Sequence, residues 1–472
     1  MENAVLQEII PNGLVYNIDE RRTKSDLGMP VEVRYKAPWD TAWQALWSSR
    51  GDRAETIYDR SRVWRYRESL NWHGIDTYNP AESARHLVSL DGKENRDVGP
   101  FQLFKAAEYA GLDNKNTWFL MFGSNPSGSF KDGGMVSLFT QGKHLHVLQY
   151  ICASTGNTSQ SLAQVAANEM ATSTPYLKRP IVVVPSGRIT PGKLLGAIAN
   201  RAIVMQIDGD FSKALQLVRS AVDADESLQL ANSATPYRIE GQKAEMILLM
   251  EHFGWHKVPD WIVTPGGNYG STAAIHKAFR EMREAGWIDR LPRLAVINAA
   301  EANTLDVLHN ERKVRWNNGN VDRKKIDEFY GELEERFRRE QQGERVRHTD
   351  MTAIDIHVPA DENLYKTLRA MEEMNGVVTS VTDEEAWEAK YVIDSNGLGE
   401  VDLASASTVA GMKKLVGQGI IEPTQFVVGR ITGRDKDPEK SFERYAKVNP
   451  PIKVANNLNA LQQALQALYT LR

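Results

Sequence analysis

The chain of 472 residues holds a single cysteine, Cys152. That excludes a disulfide framework or a cysteine-rich zinc site within one chain. No apolar run approaches the roughly 18–20 residues needed to span a bilayer. The stretch from Met1 to Ile10 carries acidic residues and lacks a basic-then-apolar pattern, so no leader is expected. An excess of one charge is also missing: 57 Lys and Arg stand against 61 Asp and Glu, a net charge of −4. Neither nucleic acid nor a membrane is therefore expected as partner. His, Asp and Glu form no metal spacing, so no metal site is expected. There is no internal repeat and no low-complexity tract. A reducing, cytoplasmic setting is the expectation.

What is present reads as ordinary globular protein, 42% hydrophobic and 25% charged, long enough for two or more domains. Residues 1–95 are rich in Trp, Arg and Tyr, with a strand-like piece at Val31–Tyr35 and a helical one at Thr41–Ser48. From about residue 96, short β-branched and aromatic runs alternate with stretches of helical period. The runs predict strands at Trp118–Phe122, Val147–Cys152, Ile181–Val184, Ile203–Ile207, Trp261–Thr264, Leu294–Asn298, Ala353–Val358 and Phe426–Ile431. Helices are predicted at Asn157–Met170, Phe211–Val222, Glu240–Phe253, Thr272–Ala285, Glu362–Met374, Asp383–Ile393 and Ser405–Gln418. Such alternation implies α/β architecture, with parallel sheets covered on both faces and ligands at the carboxyl ends of strands. Residues 310–350 break the rhythm, and the charged stretch Arg323–Arg347 reads as a solvated helical excursion.

Three strand-to-helix turns carry chemistry. In Gly123–Asp132, Asn125-Pro126 and Ser127-Gly128 are turn formers. Ser129 is expected to cap a helix opening at Phe130, with Asp132 in its first turn. Lys131 then sits at a helix N-terminus, where the positive end of the dipole favours a neutral, nucleophilic amine of the kind Schiff-base chemistry needs. Read alone, the same segment is also an ordinary capped helix with an exposed lysine. In Ala153–Ser159, hydroxyls and backbone amides at a helix start suit a carboxylate, or serve as a polar cap. In Pro265–Ser271, three glycines let the backbone approach a phosphate closely. The spacing is that of neither a Walker loop nor a dinucleotide fingerprint, and it fits a monophosphate. A reactive lysine, a carboxylate cradle and a monophosphate cradle together describe pyridoxal phosphate holding an amino acid.

These residues also resemble a known family. Ser127-Gly128-Ser129-Phe130-Lys131-Asp132 resembles the cofactor-lysine motif of the fold-type II pyridoxal-phosphate enzymes, the tryptophan synthase β-like group. Ala153–Ser159 is similar to that group's substrate-carboxylate loop, and Pro265–Gly270 to its cofactor-phosphate loop. Within the group, the match narrows to threonine synthases through Leu230–Ser233, Tyr237–Lys243, Pro185–Lys193, Val258–Trp261 and Ile431-Thr432-Gly433 followed by Asp435–Pro438. The resemblance covers about residues 85–440.

It implies pyridoxal 5'-phosphate held by Lys131, with Phe130, Asn157, Gly266, Gly267, Asn268, Tyr269, Gly270 and Thr432 around it. Asn157 would touch the ring oxygen, residues 266–270 would hold the phosphate, and Thr432 would face the ring nitrogen. The substrate would be O-phospho-L-homoserine, bound by Ser154, Thr155, Thr158, Asn232, Ser233 and Arg238, or else Arg238 pairs with Glu240. Lys131 would be the catalytic base in an elimination at Cγ and hydration at Cβ that yields L-threonine and phosphate, a lyase reaction in threonine biosynthesis. The implied architecture is two open parallel-sheet domains with extensions. These comprise an N-terminal extension (1–95), a large cofactor-binding domain (96–135 and 235–440, with a charged insertion at 310–350), a small mobile domain (136–234) and a C-terminal helical extension (441–472). A homodimer is expected.

The chain departs from the family at several points. Gly92–Pro100 stands where Gly-Glu-Gly-Asn-Thr-Pro-Leu is usual, Gly133 where arginine is frequent, Ser271 where asparagine often stands, and Arg434-Asp435 where His-Gly is usual. Relatives' N-terminal cysteine pairs are absent. A paralogue that pairs another phosphorylated amino acid with a nucleophile other than water is the alternative. A serine or threonine dehydratase and a catalytically silent cofactor-binding protein are more distant ones.

Overall fold

A computed structural model gives the architecture. It describes residues 3–53, 55, 56, 59, 61–70, 100–154, 156–172, 174–185, 191–208, 211–354, 362–395, 400–455 and 458–470. Its strands, in chain order, are Ala4–Glu8 (β1), Val15–Tyr16 (β2), Val31–Tyr35 (β3), Pro100–Phe101 (β4), Thr117–Met121 (β5), Gln149–Ala153 (β6), Ile181–Pro185 (β7), Ile203–Ile207 (β8), Leu228–Leu230 (β9), Trp261–Pro265 (β10), Arg293–Ala299 (β11), Val377–Val381 (β12) and Val427–Ile431 (β13). They form three sheets: an antiparallel β2-β1-β3, a six-stranded β12-β11-β10-β13-β5-β4, and a parallel four-stranded β8-β7-β6-β9. In the six-stranded sheet only β4 runs antiparallel to its neighbour.

The central strands read as unbroken apolar runs because both faces are covered. All five residues of β10 and of β13 are buried. Alternate side chains serve different cores. Leu120, Ile262, Val296 and Val428 face one cluster, with Met246, Ile247 and Phe279 of helices Pro236–His252 and Gly270–Glu284. Phe119, Val263, Ile297 and Val427 face the other, with Ala406, Val409 and Met412 of helix Leu403–Gly417. The four-stranded sheet has its own two faces, around Tyr150, Cys152 and Val182 and around Ile151, Val183 and Leu230.

The tryptophans of the N-terminal region become intelligible here. Trp39, Trp47 and Trp287 meet edge to face at centroid distances of 5.3–5.7 Å, an arrangement aromatic quadrupoles favour. Helix Arg323–Gln341 buries Ile326, Phe329 and Leu333, one face at helical spacing, and turns its charges outward. Asp435–Arg472 forms a compact unit of its own, with helices Pro438–Val448 and Leu458–Thr470.

Two local expectations are corrected. Ser129 caps no helix: its backbone pairs with Gly433 and its hydroxyl lies 3.2 Å from that of Ser127. The helix runs Lys131–His144, with Phe130 at the cap and no side-chain cap bond. The extended pairing turns Ser129 toward the sheet instead of the helix. Of the strand expected at Ala353–Val358, Ala353 and Ile354 lie in a turn and the rest falls outside the described residues. The neighbour of β11 is β12, whose Thr and Ser weakened its signal.

Helices Lys131–His144 and Pro236–His252 approach closely through glycine. A Cβ on Gly241 would collide with the Gly133 carbonyl oxygen and lie 2.6 Å from the Ser137 Cβ. Gly241→Ala is expected to lose about 3 kcal/mol, the upper end for overpacking, as a lowered midpoint in urea unfolding. A midpoint equal to the parent's would mean that the two helices do not meet this closely.

Candidate active site

β10, β13 and β5 are adjacent and parallel, so their carboxyl ends share one edge. At about 4.8 Å between neighbours, the ends of β10 and β5 stand about 10 Å apart, with that of β13 between them. The turn to Lys131 leaves β5, Thr432-Gly433 leaves β13, and the glycine turn leaves β10. Backbone bonds stitch the first two together: Phe130 N–H donates to Thr432 O at 3.0 Å, and Arg434 N–H to Gly128 O at 2.8 Å.

Lys131 opens its helix, its Nζ 4.0 Å from the centre of the Phe130 ring. Burial first, then the charges of Arg238 and Arg430, brings its amine down to about 7, against the pull of Glu245 and Asp402. Next door, Asp132 is occupied: its carboxylate accepts from Ser127 N–H at 2.9 Å and from the Ser161 hydroxyl at 2.6 Å.

The glycine turn is locked at its start. Gly266 N–H donates to Ile297 O at 2.7 Å, and the Asn298 amide donates to Gly266 O at 2.7 Å. Tyr269 takes a left-handed φ of 57°, and its hydroxyl is occupied in the core by Leu305 N–H and the Asn298 amide. The backbone amides of Gly267, Asn268, Tyr269 and Gly270 have no acceptor among the described residues. The buried Thr272 hydroxyl in the following turn has none either. Only glycine fits here: a Cβ on Gly266 would lie 2.5 Å from Val296, on Gly267 2.9 Å from Ile354, and on Gly270 2.7 Å from Ser233. Amides at a helix start that have no acceptor among the described residues are suited to receive a monophosphate. Asn268 borders it, accepting from the Ser233 hydroxyl and, at 2.9 Å, from the Asn363 amide.

At the end of β6, the Ser154 hydroxyl accepts from Gly156 N–H at 3.3 Å and Ser159 N–H at 3.2 Å, and so shapes the start of helix Asn157–Thr172. Thr155 lies outside the described residues, and Thr158 is half-buried in the first turn. The Asn157 amide reaches Asp402 at 3.5 Å. Asp402 caps helix Leu403–Gly417 through Ser405 N–H at 2.7 Å. The Ser405 hydroxyl accepts from Thr432 N–H at 2.9 Å and lies 3.2 Å from the Thr432 hydroxyl.

Of the residues expected to bind the substrate, Asn232 and Arg238 differ in their circumstances. Asn232 spends its amide on Ala153, accepting from its N–H at 3.0 Å and donating to its carbonyl at 2.8 Å. Arg238 is fully buried and, among the described residues, donates only from Nη1, to Ala231 O at 2.8 Å; Nε and Nη2 have no partner there. It does not pair with Glu240, which Lys243 (2.7 Å), Lys277 (3.3 Å) and the Tyr35 hydroxyl (2.7 Å) occupy. Burial pulls the Arg238 guanidinium down to about 10, against the opposing pull of Cys152 and Asp132.

The site thus gathers Lys131, Phe130, Thr432 and the glycine turn, with Ser233 at its border and the charge of Arg238 acting on Lys131. Reasoning from sequence missed Asp402, Ser405, Asn363 and the buried pair Glu245–Arg430. Asp402-Leu403-Ala404-Ser405, a cap signal before an Ala-rich helix, and a lone arginine inside the apolar run Val427–Ile431 were the available signs.

A family model described as pyridoxal-phosphate dependent enzyme matches residues 95–433. The threonine synthase of Methanocaldococcus jannaschii is 31% identical over 469 residues, covering 98% of this chain and 100% of that protein. That of Methanosarcina acetivorans is 35% identical over 346 residues, covering 73% of this chain and 75% of that one. Among solved structures, threonine synthase from Escherichia coli superposes with a TM-score of 0.61 at 12% identity, over 96% of this chain and 93% of its own. At that identity the superposition speaks for the fold alone.

An amine that ionises near 7 when folded and at its ordinary 10.5 when unfolded takes up a proton on unfolding between those values. The ligand-free chain therefore gains stability as pH rises through that window, and is penalised most below 7. Lys131→Met should relieve the penalty, gaining roughly 2–4 kcal/mol over the parent at neutral pH, with the gain shrinking as pH nears the ordinary lysine value. Denaturant unfolding at a series of pH values checks this; a gain that does not vary with pH rejects it.

Proposed function

The chain belongs to the pyridoxal-phosphate dependent enzymes and, among them, to the threonine synthase family of fold-type II lyases, and we propose that it converts O-phospho-L-homoserine and water into L-threonine and phosphate. The observation that carries the substrate class is Arg238, a buried guanidinium with two donors that have no partner among the described residues, while the carboxylate whose charge acts on it, Asp132, is taken up by Ser127 and Ser161. A planar fork of that kind suits a phosphate. A plain hydroxyamino acid has nothing to offer it.

The residues present fit the cofactor. The amides of Gly267–Gly270, without an acceptor among the described residues, and a turn packed too closely for side chains at 266, 267 and 270 support a phosphate cradle. Asn157 would lie against the ring oxygen. A hydroxyl at Thr432, steadied by Ser405, cannot keep the ring nitrogen protonated as a carboxylate would, so surrounding dipoles must share the stabilisation of negative charge. Bound pyridoxal phosphate supplies an aldehyde and a conjugated ring that draws electrons from carbon beside the substrate's amino group.

Lys131, about half of it neutral near pH 7, would take the Cα proton and, once it has handed that proton on to the bound cofactor, would take one from Cβ. Arg238 receives the phosphate as it departs from Cγ, and the Lys131 ammonium returns a proton to Cγ before water adds at Cβ. Ser154 and Thr155 would hold the substrate carboxylate, while Thr158, Asn232 and Ser233 would join Arg238 at the substrate phosphate. One lysine can serve several transfers only where bulk water is kept out. Closure of residues 136–234 over residues 96–135 and 235–440 is part of the proposal, as are a homodimer and a cytoplasmic setting.

Purified protein offered O-phosphohomoserine with water alone should release phosphate and L-threonine. With O-phosphoserine and sulfite or a thiol it should be far slower, and the reverse preference would replace water with another nucleophile. Lys131→Ala should lose both turnover and the visible band of the lysine-bound cofactor. Arg238→Ala should cut kcat/KM for the phosphorylated substrate by about 100-fold or more, as expected for two lost charge-assisted bonds. Its turnover of plain serine or threonine should change far less; equal losses on both would reject the phosphate role.

A further inference from the structure

Arg430 stands inside β13, in a run whose other members are Val427, Val428, Gly429 and Ile431. It is fully buried, a costly position for a charge unless something answers it. Its Nη2 pairs with Glu245, its Nη1 donates to the Thr264 hydroxyl at 2.9 Å, and its Nε has no partner among the described residues. Glu245 lies two turns beyond Arg238 on helix Pro236–His252, and Thr264 lies two residues before the glycine turn. The guanidinium carbon is 5.0 Å from the centre of the Phe130 ring and 5.5 Å from that of Phe122. The Lys131 amine lies 4.0 Å from the same Phe130 ring. One ring is thus shared by the reactive amine and a second cation.

Resting on the assignment of Lys131 to the cofactor, we propose that Arg430 and Glu245 form a positioning pair for the reaction. Arg430 steadies Phe130 and the approach to the phosphate turn and keeps positive charge beside the Lys131 amine. Glu245 sets how much of that charge the amine feels. As strand packing alone the pair has little to recommend it, since apolar residues of similar volume commonly serve a core equally well. Its charges do act on the amine: Arg430 favours the neutral form and Glu245 opposes it. The other charged groups acting on Lys131 are Arg238, from the same helix as Glu245, and Asp402, from the cap of helix Leu403–Gly417. Glu245 is the carboxylate that Arg430 itself engages.

The test uses full-length protein freed of cofactor and mixed with pyridoxal 5'-phosphate over a series of pH values. The amine lone pair adds to the aldehyde carbon and the carbonyl oxygen leaves as water. Only the neutral amine reacts, so the midpoint of the rate against pH reports its ionisation, independently of turnover. Arg430→Met should raise the midpoint by about one unit, and Glu245→Gln should lower it by a similar amount. Arg430→Lys should stay near the parent, and the double variant Glu245→Gln/Arg430→Met should fall between the two singles. A merely structural pair would slow capture in both singles with the midpoint unmoved. That result overturns the proposal, as do two shifts of the same sign. If Arg430→Met does not fold, Glu245→Gln beside Arg430→Lys decides through the downward shift alone. If instead Lys131→Ala develops the same visible band as the parent, the assignment of Lys131 has failed, not the pair.

Discussion

The parallel register of β10, β13 and β5 is the constraint on which the rest of the site depends. Parallel strands deliver their outgoing turns to one edge at a fixed spacing. A lysine, a threonine and a glycine hollow, drawn from residues as far apart as 131 and 432, therefore converge without any of them needing a long loop. The backbone bonds from Phe130 to Thr432 and from Gly266 to Ile297 extend the sheet's rigidity one residue beyond the strands. Ile354 and Val296 close on Gly267 and Gly266 from below, so the hollow cannot widen without disturbing the core. Rigid elements set the geometry; the chemistry is added at their ends.

That geometry concentrates positive charge. Lys131, Arg238 and Arg430 share a desolvated region with Glu245 and Asp402 as its carboxylates. The region is unfavourable in electrostatic terms, with the Lys131 amine near 7 and the Arg238 guanidinium near 10. Under the proposed assignment phosphate groups would relieve this: one would give Arg238 an anion for Nε and Nη2, and another would give the amides of the glycine turn an acceptor. Groups that bind only the folded chain also stabilise it, so these unfavourable features would be a source of affinity.

The parts of this design that could be read from the sequence are local ones. Strand, turn and helix follow one another within about ten residues at Lys131, at Asn157 and at Gly266, and each signal is complete in its own window. The glycine turn was legible as a close-packed strand-to-helix turn because glycine at 266, 267 and 270 lets the backbone approach its neighbours. What escaped depends on distant partners. Glu245 and Arg430 are 185 residues apart, Asp402 and Asn157 are 245, and no periodicity links them. Asn232 illustrates a different limit: an asparagine after a strand serves a ligand or a neighbouring backbone equally well, and here Ala153 takes it. Ser129 was read as a cap because serine before a helix usually is one; pairing with Gly433 overrode the preference. The aromatic N-terminal region gave no pattern because its order is tertiary, with Trp39 and Trp47 packing on Trp287.

Helix Pro236–His252 shows how one segment reconciles these demands. Arg238, Gly241 and Glu245 recur at spacings of three and four, so they share a face. That face meets the lysine helix through Gly241 and the sheet through Glu245 and Arg430. Glu240 and Lys243 lie on another face and are buried with Lys277 and Glu281, within reach of Tyr35 from β3. The charges on this second face pair among themselves; on the first, Glu245 pairs with Arg430, while Nε and Nη2 of Arg238 have no partner among the described residues. The bonds that fix the helix's rotation are thus separate from the donors that Arg238 would offer a ligand. β3 reaches this paired face through Tyr35, whose hydroxyl meets Glu240 at 2.7 Å, so the N-terminal sheet, which contributes none of the predicted site residues, bears on how the helix that carries Arg238 is held.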